Sequence, residues 1–544
     1  MASPKGNAVH LRISIVVSVA LALVGAPALA QPAVPVTPAD PAPPGPPLPP
    51  APPALAPAPP PPAPVVVPLP PPEPRPLYPV VLAPPGPPIE AWHSGYHNGN
   101  FYIRSSDDVF RVYVMGRVHV DYFQAFGPGL NELAPGSAPA HGFELRRARL
   151  ELAGEFFQRW QWHLGAEFAP SVASNVAANT AALSCKVNAS TSYLTCNPAE
   201  STVDAPTVSP APTDVFVNFA PSPWANVQAG QFYLPFSLEN RISDNTTAFL
   251  ERALVIRSIA APLQRDIGAM FWGESPDRVL YYSVGLFNGD GPNRPNADAR
   301  YDVAGHVVVR PFARATNGPT KWAQLGFSVH TGSRDSTKVG YDMPALTTSQ
   351  GFAFWRPTYT DSYGRLLHII PSSTQEAFGG DLYLPIGNFD VTGEFVYASY
   401  DTREAVDGLQ ISPFTERLGA FKGWGYYAQL GYWIVGDHDI LGYPSYGRPI
   451  HVDLSQERQP ARHGVQVVAR FDQLGLTYQG SSRGGADDAK TPSGDVDVKS
   501  FTLGANYWAT RHLRVSLNYG YYDLPAHSAV STLHEVSARV GVQF

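Results

Sequence analysis

The sequence predicts an all-β fold: a transmembrane antiparallel β-barrel of about 16 strands, with a constriction loop folded into its lumen. Three observations predict it. Long segments alternate apolar and polar residues with a period of two, as a strand does when its faces meet different surroundings. Short connections alternate with long ones, the pattern of barrels with tight turns at one end and loops at the other. The chain opens on an export-type leader, and no later apolar run reaches the roughly 20 residues that a membrane helix needs.

In the leader, Lys5 and Arg12 supply the positive end, residues 13–24 the apolar stretch and Ala28-Leu29-Ala30 the small-residue cleavage site. Residues 1–30 are therefore read as a signal peptide and Gln31 as the mature start. Residues 31–97 form a proline-rich segment that holds about half of the chain's 58 prolines. Proline fixes φ and removes backbone donors, so this stretch is read as a semi-rigid polyproline-II-like spacer in the periplasm. A cell-wall contact and a passive tail are its two readings. The remaining residues, 98–544, are read as the barrel. A hydrophobic share of 44% excludes general disorder, and a net charge of −7 argues against a nucleic-acid partner. Only seven of the 38 basic residues are lysine. Arginine suits bidentate contact with phosphate or carboxylate, although GC-rich codon usage gives the same bias.

The first strand pattern sets Phe110, Val112, Val114, Val118, Val120 and Tyr122 on one face. Arg111, Tyr113, Met115, Arg117, His119 and Asp121 share the other. The second sets Ala148, Leu150, Leu152 and Phe156 against Arg147, Arg149, Glu151 and Glu155. Burying such charges in a soluble core would be costly, whereas a water-filled lumen accepts them. Further strands are predicted over 161–168, 214–219, 225–231, 266–273, 279–287, 302–311, 322–330, 377–384, 389–400, 423–435, 465–471, 500–508, 513–521 and 535–544. One connection, 436–462, is long where a short turn is expected. The last strand alternates Val536, Ala538, Val540 and Val542 with polar residues and stops on Phe544, like the signature that barrel-insertion machinery reads. Tyr507, Trp508, Tyr519, Tyr521 and Tyr522 are expected in interfacial girdles against outer-membrane lipid. Cys185 and Cys196, close together in a polar stretch of an exported chain, are read as a disulfide worth about 2–3 kcal/mol.

Residues 230–268 lack a period of two and carry Arg241, Arg252, Arg257 and Arg265 beside apolar residues able to pack. Such long connections are usually functional. Gly230-Gln231-Phe232, Pro235-Phe236-Ser237-Leu238-Glu239, Phe249-Leu250-Glu251-Arg252 and Ile267-Gly268 resemble the third-loop region of the phosphate-selective porin O and P family. Arg146-Arg147-Ala148-Arg149-Leu150 resembles another of its segments. The resemblance implies an outer-membrane porin of a Gram-negative bacterium, a homotrimer, and a ladder of basic residues that guides anions to the constriction.

The inward set predicted for that ladder is Arg111, Arg117, Arg147, Arg149, Arg514 and Arg539, with the four arginines of the loop at the narrowest point. Two departures bear on phosphate. Tyr233 stands where a basic residue is usual, and Glu239, Asp244, Glu251 and Asp266 bring the loop close to neutrality. Small hydrophilic anions, including phosphate or polyphosphate, are the expected solutes. The alternatives are a non-specific or cation-preferring porin, and a barrel anchor tethered to the cell wall. No enzyme signature, metal-ligand spacing or cofactor motif is present. Gly423-Trp424-Gly425-Tyr426-Tyr427-Ala428 matches a dinucleotide motif in letters only, because no helix pattern follows it.

Overall fold

The computed structural model describes residues 93–544, apart from 134–140, 158, 170–182, 188–193, 199–209, 261–263, 297, 316–317, 336–341, 361–365, 407–409, 412–416, 441–445, 453, 455–462, 481–491, 526–527 and 529. For 183–187, 194–198, 405–406, 410–411 and 417 it describes the backbone alone. The leader and the proline-rich segment up to residue 92 lie outside the described residues.

Sixteen antiparallel strands form the barrel. They are β1 (Phe110–Phe126), β2 (Gly142–Phe156), β3 (Trp160–Glu167), β4 (Ala211–Ser222), β5 (Ala225–Tyr233), β6 (Arg265–Glu274), β7 (Leu280–Phe287) and β8 (Asp302–Val309). They continue as β9 (Gln324–Arg334), β10 (Leu366–Ile386), β11 (Phe389–Val406), β12 (Arg417–Val435), β13 (Gly464–Gly480), β14 (Gly494–Thr510), β15 (Leu513–Asp523) and β16 (Thr532–Gln543). Each pairs with the next, and β16 closes on β1 with Val540 opposite Val120. Closure leaves no ladder edge unpaired in lipid. Short connections at 157–159, 223–224, 275–279, 387–388 and 511–512 share one end, the turn side. The hairpin His93–His97 with Asn100–Arg104, the former placed by sequence in the spacer, adds to the start of β1 at this end.

The alternation sorts as predicted. Val118, Val120, Leu150, Val540 and Val542 are exposed on the outer wall, and Tyr113, Arg117, His119, Asp121 and Glu151 are buried inside. Phe544 continues the ladder: its amide donates to the Gly116 carbonyl at 3.0 Å, and Gly116 donates back at 2.9 Å. Its ring lies where a Cβ on residue 116 would stand, so only glycine fits there. The predicted girdle is half right. Tyr507 and Tyr519 face outward, but Trp508 and Tyr522 are buried. They have the opposite parity, and Trp508 packs inside against Trp433, with ring centres 5.1 Å apart.

Among the described residues, three segments enter the lumen. The first is the predicted constriction loop, 234–264. Phe236, Leu254, Val255, Ile256 and Ile259 from it join Tyr400, Phe421, Leu474, Leu476 and Val498 of the wall in one apolar cluster. Val255 packs against β12 at Gly425, inside the discarded dinucleotide motif; a Cβ there would sit 2.8 Å from the valine methyl. The second is the hairpin Leu346–Thr347 with Ala353–Trp355 from the connection 335–365. Met343, Leu346, Phe352, Phe354 and Trp355 bury in the same cluster. The third is part of the long turn-side connection 436–463, whose Tyr446 stacks on Tyr281 at 5.2 Å. Its length, anomalous in sequence, is accounted for by this inward path.

Candidate functional site

The loop is pinned to the wall by its own backbone. A short helix, Leu238–Arg241, begins at Ser237, whose Oγ accepts from the Asn240 amide at 3.2 Å. Glu394 of β11 accepts from the Leu238 and Glu239 amides at 3.0 and 2.7 Å. Asp472 of β13 accepts from the Leu254 amide at 2.8 Å, and Asn506 and Arg539 donate to the Ala248 and Leu250 carbonyls. Hydrogen bonds from four strands thus fix a segment that has no ladder of its own.

The four loop arginines differ in their partners. Arg252 donates to the Glu239 and Ile242 carbonyls and lies 3.0 Å from Asp244. Arg257 donates to the Thr347 and Thr348 carbonyls, so it joins two inward segments instead of facing solute. Arg265 belongs to β6, not to the loop, and grips Asp214 with two bonds of 3.1 and 2.9 Å. Arg241 is buried, reaches Ser283 at 3.3 Å and lies over the rings of Tyr281 and Tyr446. Among the described residues it has no carboxylate partner. Tyr233, at the position where a basic residue was expected, carries Arg265 on its ring face at 3.7 Å and Arg252 at 5.5 Å. An aromatic quadrupole there steadies two cations that a third cation would repel.

On the wall, Arg117 pairs with Glu151 at 2.6 Å and Arg149 with Glu167 at 3.2 Å. Arg147 reaches Asp244 at 2.8 Å. Arg539 makes a bidentate pair with Asp121 at 2.7 and 2.6 Å. Arg514 is held by Asn506 and by the Asn245 and Ala248 carbonyls. Arg111 lies apart, at the turn side, bonded to Asp108 and to the Val452 carbonyl. Most of these guanidiniums are thus engaged by carboxylates and loop carbonyls.

Strict alternation missed several inward charges. Arg146 and Arg147 are neighbours, yet both bond inside, Arg146 to Glu251 at 2.9 Å. The β1–β2 register shifts by one residue between His119 and Val120, and this bulge turns both inward. Arg470 pairs with Asp472 at 3.1 Å, and the alternation of these two buried residues with the exposed Val467 and Phe471 left a readable signal. Arg310 and Arg448 share Glu274, each at 2.7 Å. No sequence motif announces that pairing, because the inward path of the long connection brings Arg448 there.

A cavity of about 510 Å³ opens between the loop and the walls of β1, β2, β4 and β5. Arg117, Arg149, Arg241, Arg265, Arg448 and Arg511 line it, against Glu151, Asp214, Asp244 and Asp439. Burial pushes Asp244 up, but Arg147, Arg252, Arg149 and Arg117 together hold it well below the usual carboxylate range. Glu251 is likewise pushed up by burial and drawn down by Arg146, Arg147, Arg539 and Arg257 to about 2. Cys185 and Cys196 oppose each other in the register of a hairpin, Leu183–Val187 with Leu194–Pro198; the predicted bond lies outside the described side chains.

The family described as phosphate-selective porin O and P matches residues 112–544. No curated protein matches the chain. Among solved structures, in-vitro folded OmpT of Vibrio cholerae aligns with a TM-score of 0.43 and 9% identity, over 80% of this chain and 98% of its own. The anion-selective porin from Comamonas acidovorans aligns with 0.43 and 11%, over 80% and 100%. The outer membrane channel DcaP of Acinetobacter baumannii aligns with 0.39 and 9%, over 81% and 99%.

Proposed function

The chain belongs to the phosphate-selective porin O and P family, an outer-membrane porin of a Gram-negative bacterium, and on that premise we propose that it passes small hydrophilic anions, phosphate and polyphosphate among them. The observation that supports this reading is the lining of the cavity beside the constriction loop. Six arginines and four carboxylates border it, a local excess of positive charge in a chain whose total charge is negative. Rings of arginine favour anions, and guanidinium forks match the oxygens of phosphate. In this reading Arg117, Arg149 and Arg265 form the wall of the path and Arg241 contributes the positive charge least compensated by carboxylate. Arg252 and Arg257 position the loop.

We further propose a homotrimer, as the family implies, reached after cleavage of residues 1–30 and insertion through the strand that ends at Phe544. Residues 31–92 would then stand in the periplasm, within reach of the cell wall. The test is a planar-bilayer recording of the refolded mature protein across a KCl gradient, followed by addition of phosphate. The expected result is an anion-selective reversal potential and partial block by phosphate. A cation-selective reversal potential would overturn the anion reading.

A further inference from the structure

Where the constriction loop meets the wall of β1 and β2, four guanidiniums converge on one carboxylate. Asp244 is carried by the constriction loop, just past the short helix Leu238–Arg241. Its Oδ2 lies 2.8 Å from Arg147 Nε, 3.7 Å from Arg117 Nη1 and 3.9 Å from Arg149 Nη1. Its Oδ1 lies 3.0 Å from Arg252 Nη2. The arginines come from β1, β2 and the loop itself, so the cluster is a tertiary construction and not a run of neighbours. Among the described residues, Glu151 and Glu167 are the other carboxylates in ion pairs with these four. Four positive charges therefore face three negative ones, and would face two if Asp244 were absent.

The basket has unmet donors. Arg147 Nη1 and Arg117 Nε are buried and have no hydrogen-bond partner among the described residues. Convergent guanidiniums with spare donors form an oxyanion site, and a carboxylate presents the same oxygen spacing as two corners of a phosphate. Asp244, Arg117 and Arg149 also line the cavity described above, so the basket is reached from the path.

We propose that Asp244 is a tethered internal anion that occupies a four-arginine phosphate site and competes with the permeating oxyanion for it. The inference rests on the anion reading and adds what regulates that site. While Asp244 is seated, an incoming oxyanion meets a nearly neutralised basket, and the channel conducts without tight binding. Displacing the carboxylate would uncover a site that binds phosphate and slows its passage. The acidic residues that bring the loop close to neutrality then have a role, with Asp244 setting how firmly the pore holds its solute.

The test compares wild type, Asp244→Asn, Asp244→Ser and Asp214→Asn in bilayers, with inorganic phosphate titrated against a chloride current. Asp214→Asn removes the same charge from the same cavity, but from a carboxylate paired to Arg265. The expected result is a fall of about tenfold or more in the half-blocking phosphate concentration for both Asp244 variants, equal to about 1.4 kcal/mol of gained binding, with a much smaller change for Asp214→Asn. A shift within about twofold in the Asp244 variants, or an equal shift in Asp214→Asn, would overturn the proposal, the latter by reducing it to general charge. Heat-modified electrophoretic mobility reports folding. If neither Asp244 variant folds, the carboxylate is a structural keystone and the proposal also falls. A cation-selective wild type would remove the anion reading, yet a tenfold gain in the Asp244 variants would still uphold the site.

Discussion

At the scale of single residues, the inside of this barrel is governed by pairing. Each inward arginine would cost several kcal/mol to bury alone, and a partner that is well placed removes most of that cost. Arg539 shows the economy: one guanidinium grips Asp121 and still donates to the Leu250 carbonyl, which ties strand closure to loop position. The two loop carboxylates at the arginine cluster yield a pH prediction. Asp244 and Glu251 titrate lower in the folded loop than in an unfolded chain. They therefore stabilise the loop above the ordinary carboxylate range, and that contribution fades as pH falls towards about 2. Glu239 is pushed up by burial, against the pull of Arg470, so its own proton uptake favours the folded loop as pH falls. Single-channel conductance should hold steady from about pH 7 to about pH 4 and change only below that, where Asp244 and Glu251 take up protons. A change already complete by about pH 5 would contradict this assignment.

At the scale of elements, the strands were legible and the inward segments only partly so. A period of two is a local property, and it placed all sixteen strands, whereas which face turns inward had to come from the charges it carries. It could not place the bulge beside Arg146 or the parity of Trp508 and Tyr522, because one shifted residue exchanges the faces. The constriction loop announced itself by length and apolar content. The connection 335–365 offered the same signal in Met343, Leu346, Phe352, Phe354 and Trp355, but its docking depends on a distant wall. Thr348 Oγ1 and Ser349 Oγ both donate to Glu535 of β16 at 2.5 Å, and Gln350 Nε2 donates to the Val536 carbonyl at 2.8 Å. No local pattern reveals a partner so far along the chain. The hairpin packs on the wall of β10 to β16, and none of residues 343–355 lines the arginine-lined cavity. Replacing residues 343–355 with a short Gly-Ser linker should therefore raise single-channel conductance severalfold and leave the reversal potential anion-selective. Unchanged conductance would mean that the hairpin does not limit the path. A switch to cation selectivity would mean that the arginine wall needs the hairpin for its shape.

At the scale of the whole molecule, two sources of selectivity compete, and ionic strength separates them. One is the diffuse field of the barrel, which reflects every charge, including the net −7 of the chain. The other is short-range contact with guanidiniums along one wall. A diffuse field acts only across a Debye length, about 10 Å at 0.1 M salt and about 3 Å at 1 M. Contacts of the kind made here, such as 2.9 Å between Arg265 and Asp214, lie inside even the shorter length. Buried and half-buried charges are also screened less than exposed ones. The total charge is negative and favours cations, whereas the proposed arginine-lined path would favour anions, so the two sources would pull in opposite directions. Raising the salt should remove the first and spare the second. Reversal potentials measured at a fixed KCl ratio should thus stay anion-selective, or become more so, as mean concentration rises from about 0.1 M to about 1 M. A preference that vanishes over that range would place selectivity in the long-range field and leave the arginine wall a purely structural set of ion pairs.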